Sequence, residues 1–324
     1  MYAYCGNNPV IRKDANGYAW ETIFDVLSLG ARLIDQKRRY SMRYKYYYCV
    51  KMNPRLIDLL EANKIRYKIH EYKSIGSTDV IFSLWSSSAN AETLVEKLSE
   101  FCDNGPSPII SIEYSKADLE RSRLLVIMPK KQKIEITNMK DSFEFSCERV
   151  DSFGIHRVKH MRQIGTLAIA KEPPMETKTA LWSSDYGFSE IYADHRVYDL
   201  VTSSSLSGIN FEKVILKNGT YSNKLYQMTT QHLITKEMIS LGHGEKIEKC
   251  RMCGKEQFII DRLYQLHLNN LETIPDSDFY VTDRIFYEGI AEPLYIISQR
   301  FYRLLKQNNL TGSVYFSPVV EVSK

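Results

Sequence analysis

Apolar residues fall along this chain in short bursts whose spacing switches between the three-four step of a helix and the two-residue step of a strand. One pair of bursts occurs twice. Arg196-Val197-Tyr198-Asp199-Leu200 leads to Leu206-Ser207-Gly208, and Arg300-Phe301-Tyr302-Arg303-Leu304 leads to Leu310-Thr311-Gly312, with matching residues 104 positions apart. Each copy predicts a short amphipathic helix stopped by glycine and followed by a β-rich run, 209–216 or 314–320. A looser third copy, Pro54 to Leu60 followed by Ile65 to Ile69, keeps the same order. Helix-then-strand units therefore recur along the chain, which predicts an α+β fold with antiparallel-rich sheets.

The remaining elements follow from the same periods. Ile23, Phe24, Leu27, Ala31 and Ile34 mark one helical face, and Leu94, Val95, Leu98 and Phe101 mark another. Asn53-Pro54 supplies an N-cap and a proline at the first helical position. The segments 79–85, 108–114, 124–128, 133–137, 143–150 and 225–228 read as strands, and Lys217-Asn218-Gly219 reads as a turn. Between Arg43 and Val50 basic and aromatic residues alternate, with Tyr44, Tyr46 and Tyr48 on one side. That pattern predicts an edge strand defended by lysine and arginine, its tyrosines facing the core. Two adjacent prolines in Lys171–Lys178 can join neither a helix interior nor a central ladder, so a boundary is expected there, dividing the chain into 1–172 and 173–324.

Length and composition narrow the class. A chain of 324 residues, 44% hydrophobic and 25% charged, suits two globular domains and neither a disordered nor a membrane-spanning protein. No apolar run approaches the length of a bilayer, and the first residues lack the features of a signal peptide, so a cytoplasmic location is expected. A formal charge of +4 does not by itself imply nucleic acid. Twenty-two tyrosines supply aromatic surface with a polar tip, useful in half-buried sheets and in protein interfaces.

Several constellations carry possible chemistry. Cys250 and Cys253, followed by Gly254, have the form of a zinc knuckle, but structural zinc takes four ligands. Only Cys5, Cys147, His243 and His267 could add to the pair, so the turn is expected to be empty and no cofactor is assigned. Asp185, Ser189, Glu190, Asp194 and His195 place acid, hydroxyl and imidazole close together, although Ser189 equally suits the N-cap of the helix that follows. Lys37-Arg38-Arg39-Tyr40 and the tyrosine run after it interleave cations with rings, as single-strand binders do. Glu272, Asp276, Asp278 and Asp283, with Phe279 and Tyr280 among them, make an acidic stretch suited to docking a basic partner. Phosphate-binding glycine loops, His-Glu-x-x-His and Gly-x-Ser-x-Gly are missing, so no reaction is predicted.

The last third runs from Cys250-x-x-Cys253-Gly254 through Asp278-Phe279 to Ile297-Ser298-Gln299-Arg300-Phe301, Leu310-Thr311-Gly312 and Phe316-Ser317-Pro318-Val319. This order resembles the double-CxxCG family of bacterial immunity proteins and related immunity proteins of polymorphic toxin systems. The second cysteine knuckle of that family is absent here, with Cys5-Gly6 as a remnant. The resemblance implies a non-enzymatic protein that neutralises a cognate toxin by binding it. An enzyme using Asp185, His195 or the cysteines, and a nucleic-acid module led by Arg38 and Arg39, are the alternatives.

Overall fold

A computed structural model describes residues 43–72, 77–85, 94, 97–98, 101, 109–129, 132–150, 156–184, 190–240, 246–249, 256–259, 266–283, 286–287 and 291–322. The fold is α+β, with several mixed, antiparallel-rich sheets. It divides into two compact units, Met1–Ser115 and Lys116–Lys324. The Lys171–Lys178 segment, where the prolines suggested a boundary, lies inside the second unit.

The first unit forms a four-stranded sheet in the order β2 (Tyr67–Tyr72), β3 (Ser77–Trp85), β1 (Arg43–Lys51), β4 (Ile109–Glu113), with every neighbour antiparallel. Helix α1 (Pro54–Ala62) joins β1 to β2 across β3, and helical residues Leu94 and Leu98 lie between β3 and β4. This is the split βαβ arrangement. The N-cap reading holds: Asn53 Oδ1 accepts from the Arg55 amide at 3.0 Å. Alternation in β1 and β3 sends Tyr48, Val50, Val80, Phe82 and Leu84 to the face where Leu56, Leu60, Leu94 and Leu98 pack. Tyr48 stacks on Phe82 with ring centroids 4.9 Å apart. The tyrosine-to-core expectation is met at Tyr48, but β1 pairs on both sides and is an interior strand, so it needs no edge defence.

In the second unit, helix α2 (Lys116–Arg121) leads into β5 (Leu124–Pro129), the fourth strand of a five-stranded sheet ordered β14 (Leu233–Ile234), β19 (Phe279–Thr282), β22 (Tyr295–Ser298), β5, β23 (Val314–Pro318). A six-stranded sheet is ordered β6 (Gln132–Ile134), β10 (Leu181–Ser184), β11 (Ile191–Asp194), β13 (Tyr221–Thr229), β12 (Asn210–Leu216), β9 (Ala168–Ile169). Short helix α3 (Met139–Ser142) leads into the hairpin of β7 (Phe143–Val150) and β8 (His156–Gln163). Smaller sheets join β15 (Ile239–Ser240), β18 (His267–Asn269) and β24 (Val320–Val322), and β16 (Lys246–Lys249), β17 (Glu256–Ile259), β20 (Phe286–Tyr287) and β21 (Ala291–Glu292).

The duplication read from the sequence is a duplication of structure. Strand β11, helix α4 (His195–Thr202) and the start of β12 are matched, 104 residues on, by β22, helix α5 (Gln299–Gln307) and the start of β23. Sheet order corresponds too, β10-β11-β13-β12 against β19-β22-β5-β23. The copies differ in where the inserted strand comes from: β13 follows β12 in the chain, whereas β5 precedes its whole unit. Both copies share one core, in which Val197 and Val201 of α4 and Phe301, Tyr302 and Leu305 of α5 are buried with Leu125, Ile191, Met228, Phe279 and Ile297. Each fully buried side chain of this size contributes about 1.5–3 kcal/mol.

The copies also clasp each other. Gly208, at φ +75°, would carry a Cβ only 1.8 Å from Ser277 Oγ in the second copy. A Cβ on Gly312 would lie 3.3 Å from the Lys178 carbonyl before the first copy's β10. Neither glycine stops its helix as the sequence suggested, since α4 is capped at Ser203 and α5 at Asn308; each instead seats the loop before the next strand against the other copy.

Candidate interaction surface

The acidic stretch expected to dock a partner is largely internal. Asp278 and Phe279 are fully buried and Tyr280 nearly so. Asp278 accepts from Arg300 Nε at 3.0 Å and Nη2 at 2.6 Å, from the Ser207 amide at 2.8 Å, and from the Ser298 hydroxyl. Burial pushes its carboxyl up, and those hydrogen bonds outweigh burial, leaving it below the usual carboxylate range. Phe279 stacks on Tyr295 inside the shared core, and the Tyr280 hydroxyl donates to the carbonyls of Pro275 and Ser277. Glu272, Asp276 and Asp283 are exposed; Glu272 pairs with Arg123 at 2.7 Å, and Asp283 accepts from the Lys236 amide. The stretch is therefore a clamp between the copies, and its two aromatic residues are not available as surface anchors.

The matching clamp of the first copy is built differently. Asp194 is both the N-cap of α4 and the ion-pair partner of Arg196, whose guanidinium also donates to the carbonyls of Glu176, Thr177 and Thr179. Helix α4 begins at His195 with Asp194 as its cap, so Ser189 is not its N-cap; Ile191–Asp194 form a strand before it. Asp185 and Ser189 lie outside the described residues; Glu190 is buried and His195 is exposed.

The exposed aromatic surface lies elsewhere, on β12, β13 and the flank of α4. The Tyr198 and Tyr226 rings stack with centroids 4.3 Å apart, and Phe211 meets both edge-on. Lys213, the cross-strand partner of Tyr226, places its ammonium 5.8 Å from the centroid of Tyr221, which is 61% exposed. Ile215 pairs with Tyr221, and next to it Leu216 and Lys217 border a shallow concavity of about 450 Å3 completed by Ala170, Lys171, Glu172 and Asn218. Glu172 accepts from the Ser222 hydroxyl at 2.5 Å and lies 3.8 Å from the Lys224 ammonium. The turn at Gly219, φ +83°, brings these strands together as the sequence predicted. The result is a band of tyrosine and lysine on β12, β13 and α4, half-buried at Tyr198, Phe211 and Tyr226 and exposed at Lys213 and Tyr221. Sequence reading missed it because the contacts depend on cross-strand register, which a bulge after Lys213 shifts.

A second polar grouping sits on the opposite face of the same sheet. Trp182 and Tyr192 are cross-strand partners, and Ser184 donates to the Glu190 carboxyl at 3.3 Å one step along. Burial raises the Glu190 carboxyl to about 7, despite opposing hydrogen bonds from its own backbone and from Ser184. Trp182 Nε1 and the Tyr192 hydroxyl are buried without a hydrogen-bond partner. Gln227, the cross-strand partner of Tyr192, exchanges two amide hydrogen bonds with Gln163 at the end of β8.

Cys250 and Cys253 lie outside the described residues. The strands before and after them in the chain, β16 and β17, pair antiparallel with Lys249 opposite Glu256. Among the described residues no group of three or more His, Cys, Asp or Glu is placed to hold a metal, and no helix is long and apolar enough to cross a membrane. Lys37–Tyr40, Cys5 and His243 also lie outside the described residues. No family model, curated protein or solved structure matches the chain.

Proposed function

We propose that the chain is a binding protein that neutralises a cognate bacterial toxin by covering its working surface. The observation that carries this reading is the lysine–tyrosine band of β12 and β13. Tyrosine, with few rotatable bonds and a polar tip, is among the residues most enriched where protein partners meet. Here the Tyr198, Phe211 and Tyr226 rings touch one another and Lys213 lies over Tyr221, which restricts their conformations before any partner arrives and lowers the entropy cost of binding. The clasped copies supply rigidity beneath. The test is protection: toxin domains taken from reading frames neighbouring this gene are expressed in a sensitive cell with and without the chain. Growth with the chain present, together with recovery of a stable complex, is expected. Arrest regardless of the chain, with no complex, contradicts the reading.

A further inference from the structure

The two faces of the first unit's sheet differ in kind. One carries Tyr48, Val50, Val80, Phe82 and Leu84 against helical leucines. By strand alternation, and among residues whose side chains are described, the other carries Lys45 and Lys51 from β1, Asp79, Ile81, Ser83 and Trp85 from β3, Lys68 and His70 from β2, and Glu113 from β4. None of these nine is buried; Lys51, Lys68, His70 and Glu113 are exposed and the rest are half-exposed. The Lys45 ammonium sits 5.1 Å from the centroid of the Trp85 ring, and Lys68 lies across from Ile81. Three lysines and a histidine thus meet two carboxylates, Asp79 and Glu113, on a face whose central strands supply an indole.

Four-stranded sheets backed by helices on one side bind single strands on the other, with rings on the two central strands stacking bases and nearby cations holding phosphates. Here β1 and β3 are those central strands, a placement hidden in the sequence, where β1 reads as an edge. We propose that this face of the first unit binds single-stranded nucleic acid, with a base stacked on Trp85 and phosphates held by Lys45, Lys51 and Lys68. Charge complementarity favours this occupant over an apolar protein surface, since Ile81 is the one aliphatic side chain among the nine. None of its residues belongs to the lysine–tyrosine band.

The test is fluorescence anisotropy of a labelled twelve-nucleotide oligothymidylate with the full chain at low salt. A dissociation constant between about 1 and 100 µM is expected at about 50 mM salt, weakening with a log–log salt slope of about −2 for three phosphate contacts. Lys68→Glu, at an exposed strand position, should weaken binding roughly fivefold or more, and Trp85→Ala at least as much with Trp85→Phe restoring most of it. Lys213→Glu in the second unit should change nothing. Absence of binding up to about 1 mM would overturn the proposal. So would binding indifferent to Lys68→Glu and Trp85→Ala, or binding lost in Lys213→Glu. Toxin protection is read in a separate assay, so either proposal can fail while the other stands.

Discussion

Glu190 shows how one buried carboxyl can tie stability to pH. Its folded value of about 7 lies above that of an unfolded glutamate, so the folded state holds the proton more tightly. The resulting stabilisation is complete below about pH 4.5 and is lost as the pH climbs to about 7, a change of about 3 kcal/mol. Urea denaturation at pH 5 and pH 7.5 should show that loss in the native chain, set against the remaining carboxylates. Glu190→Gln, which cannot ionise, should lose correspondingly less over the same interval. Equal pH dependence in the two proteins would mean that the Glu190 carboxyl is solvated after all. The unpartnered Trp182 and Tyr192 groups beside it are a cost of the same buried polar row, since an unmade hydrogen bond forfeits about 1–3 kcal/mol of solvation.

At the scale of elements, the two loop glycines that follow α4 and α5 make unequal demands. A methyl group at Gly208 collides with Ser277 Oγ and forces a left-handed residue to carry a Cβ, whereas one at Gly312 needs only a shift of a few tenths of an ångström. Gly208→Ala should therefore destabilise by about 2–4 kcal/mol and Gly312→Ala by about 1 kcal/mol or less, measured by thermal or chemical unfolding. Equal losses would argue against the clasp. Much of this level was legible in advance. Asn53-Pro54, the 104-residue repeat and the Lys217-Asn218-Gly219 turn each carry their signal within a few residues, because caps and turns depend on local backbone chemistry. Sheet order does not. That β5, far ahead in the chain, fills the place between β22 and β23, or that β1 is interior, depends on pairing between distant segments. The same holds for Asp278, which a sequence presents as part of an acidic run and the fold buries against Arg300. Its neighbours in space, Ser207 and Arg300, lie far from it in sequence, so nothing local announces a clamp.

At the scale of the second unit, the carboxylates Asp194 and Asp278 are paired inside a duplicated scaffold, while Lys213 and Tyr221 stand exposed on strands. The buried carboxylates Asp194 and Asp278 hold helix starts and loops, so changing them should damage the fold before it damages any interface. The band of Tyr198, Phe211, Lys213, Tyr221 and Tyr226 can be changed at its exposed members with little effect on stability. That separation makes the account's central claim testable with one variant. Calorimetric titration of the toxin recovered in the protection test into the chain carrying Lys213→Glu and Tyr221→Ala should show affinity reduced about 30-fold or more, with the melting temperature unchanged. Full affinity in that variant would contradict the claim that this surface is where the protein works.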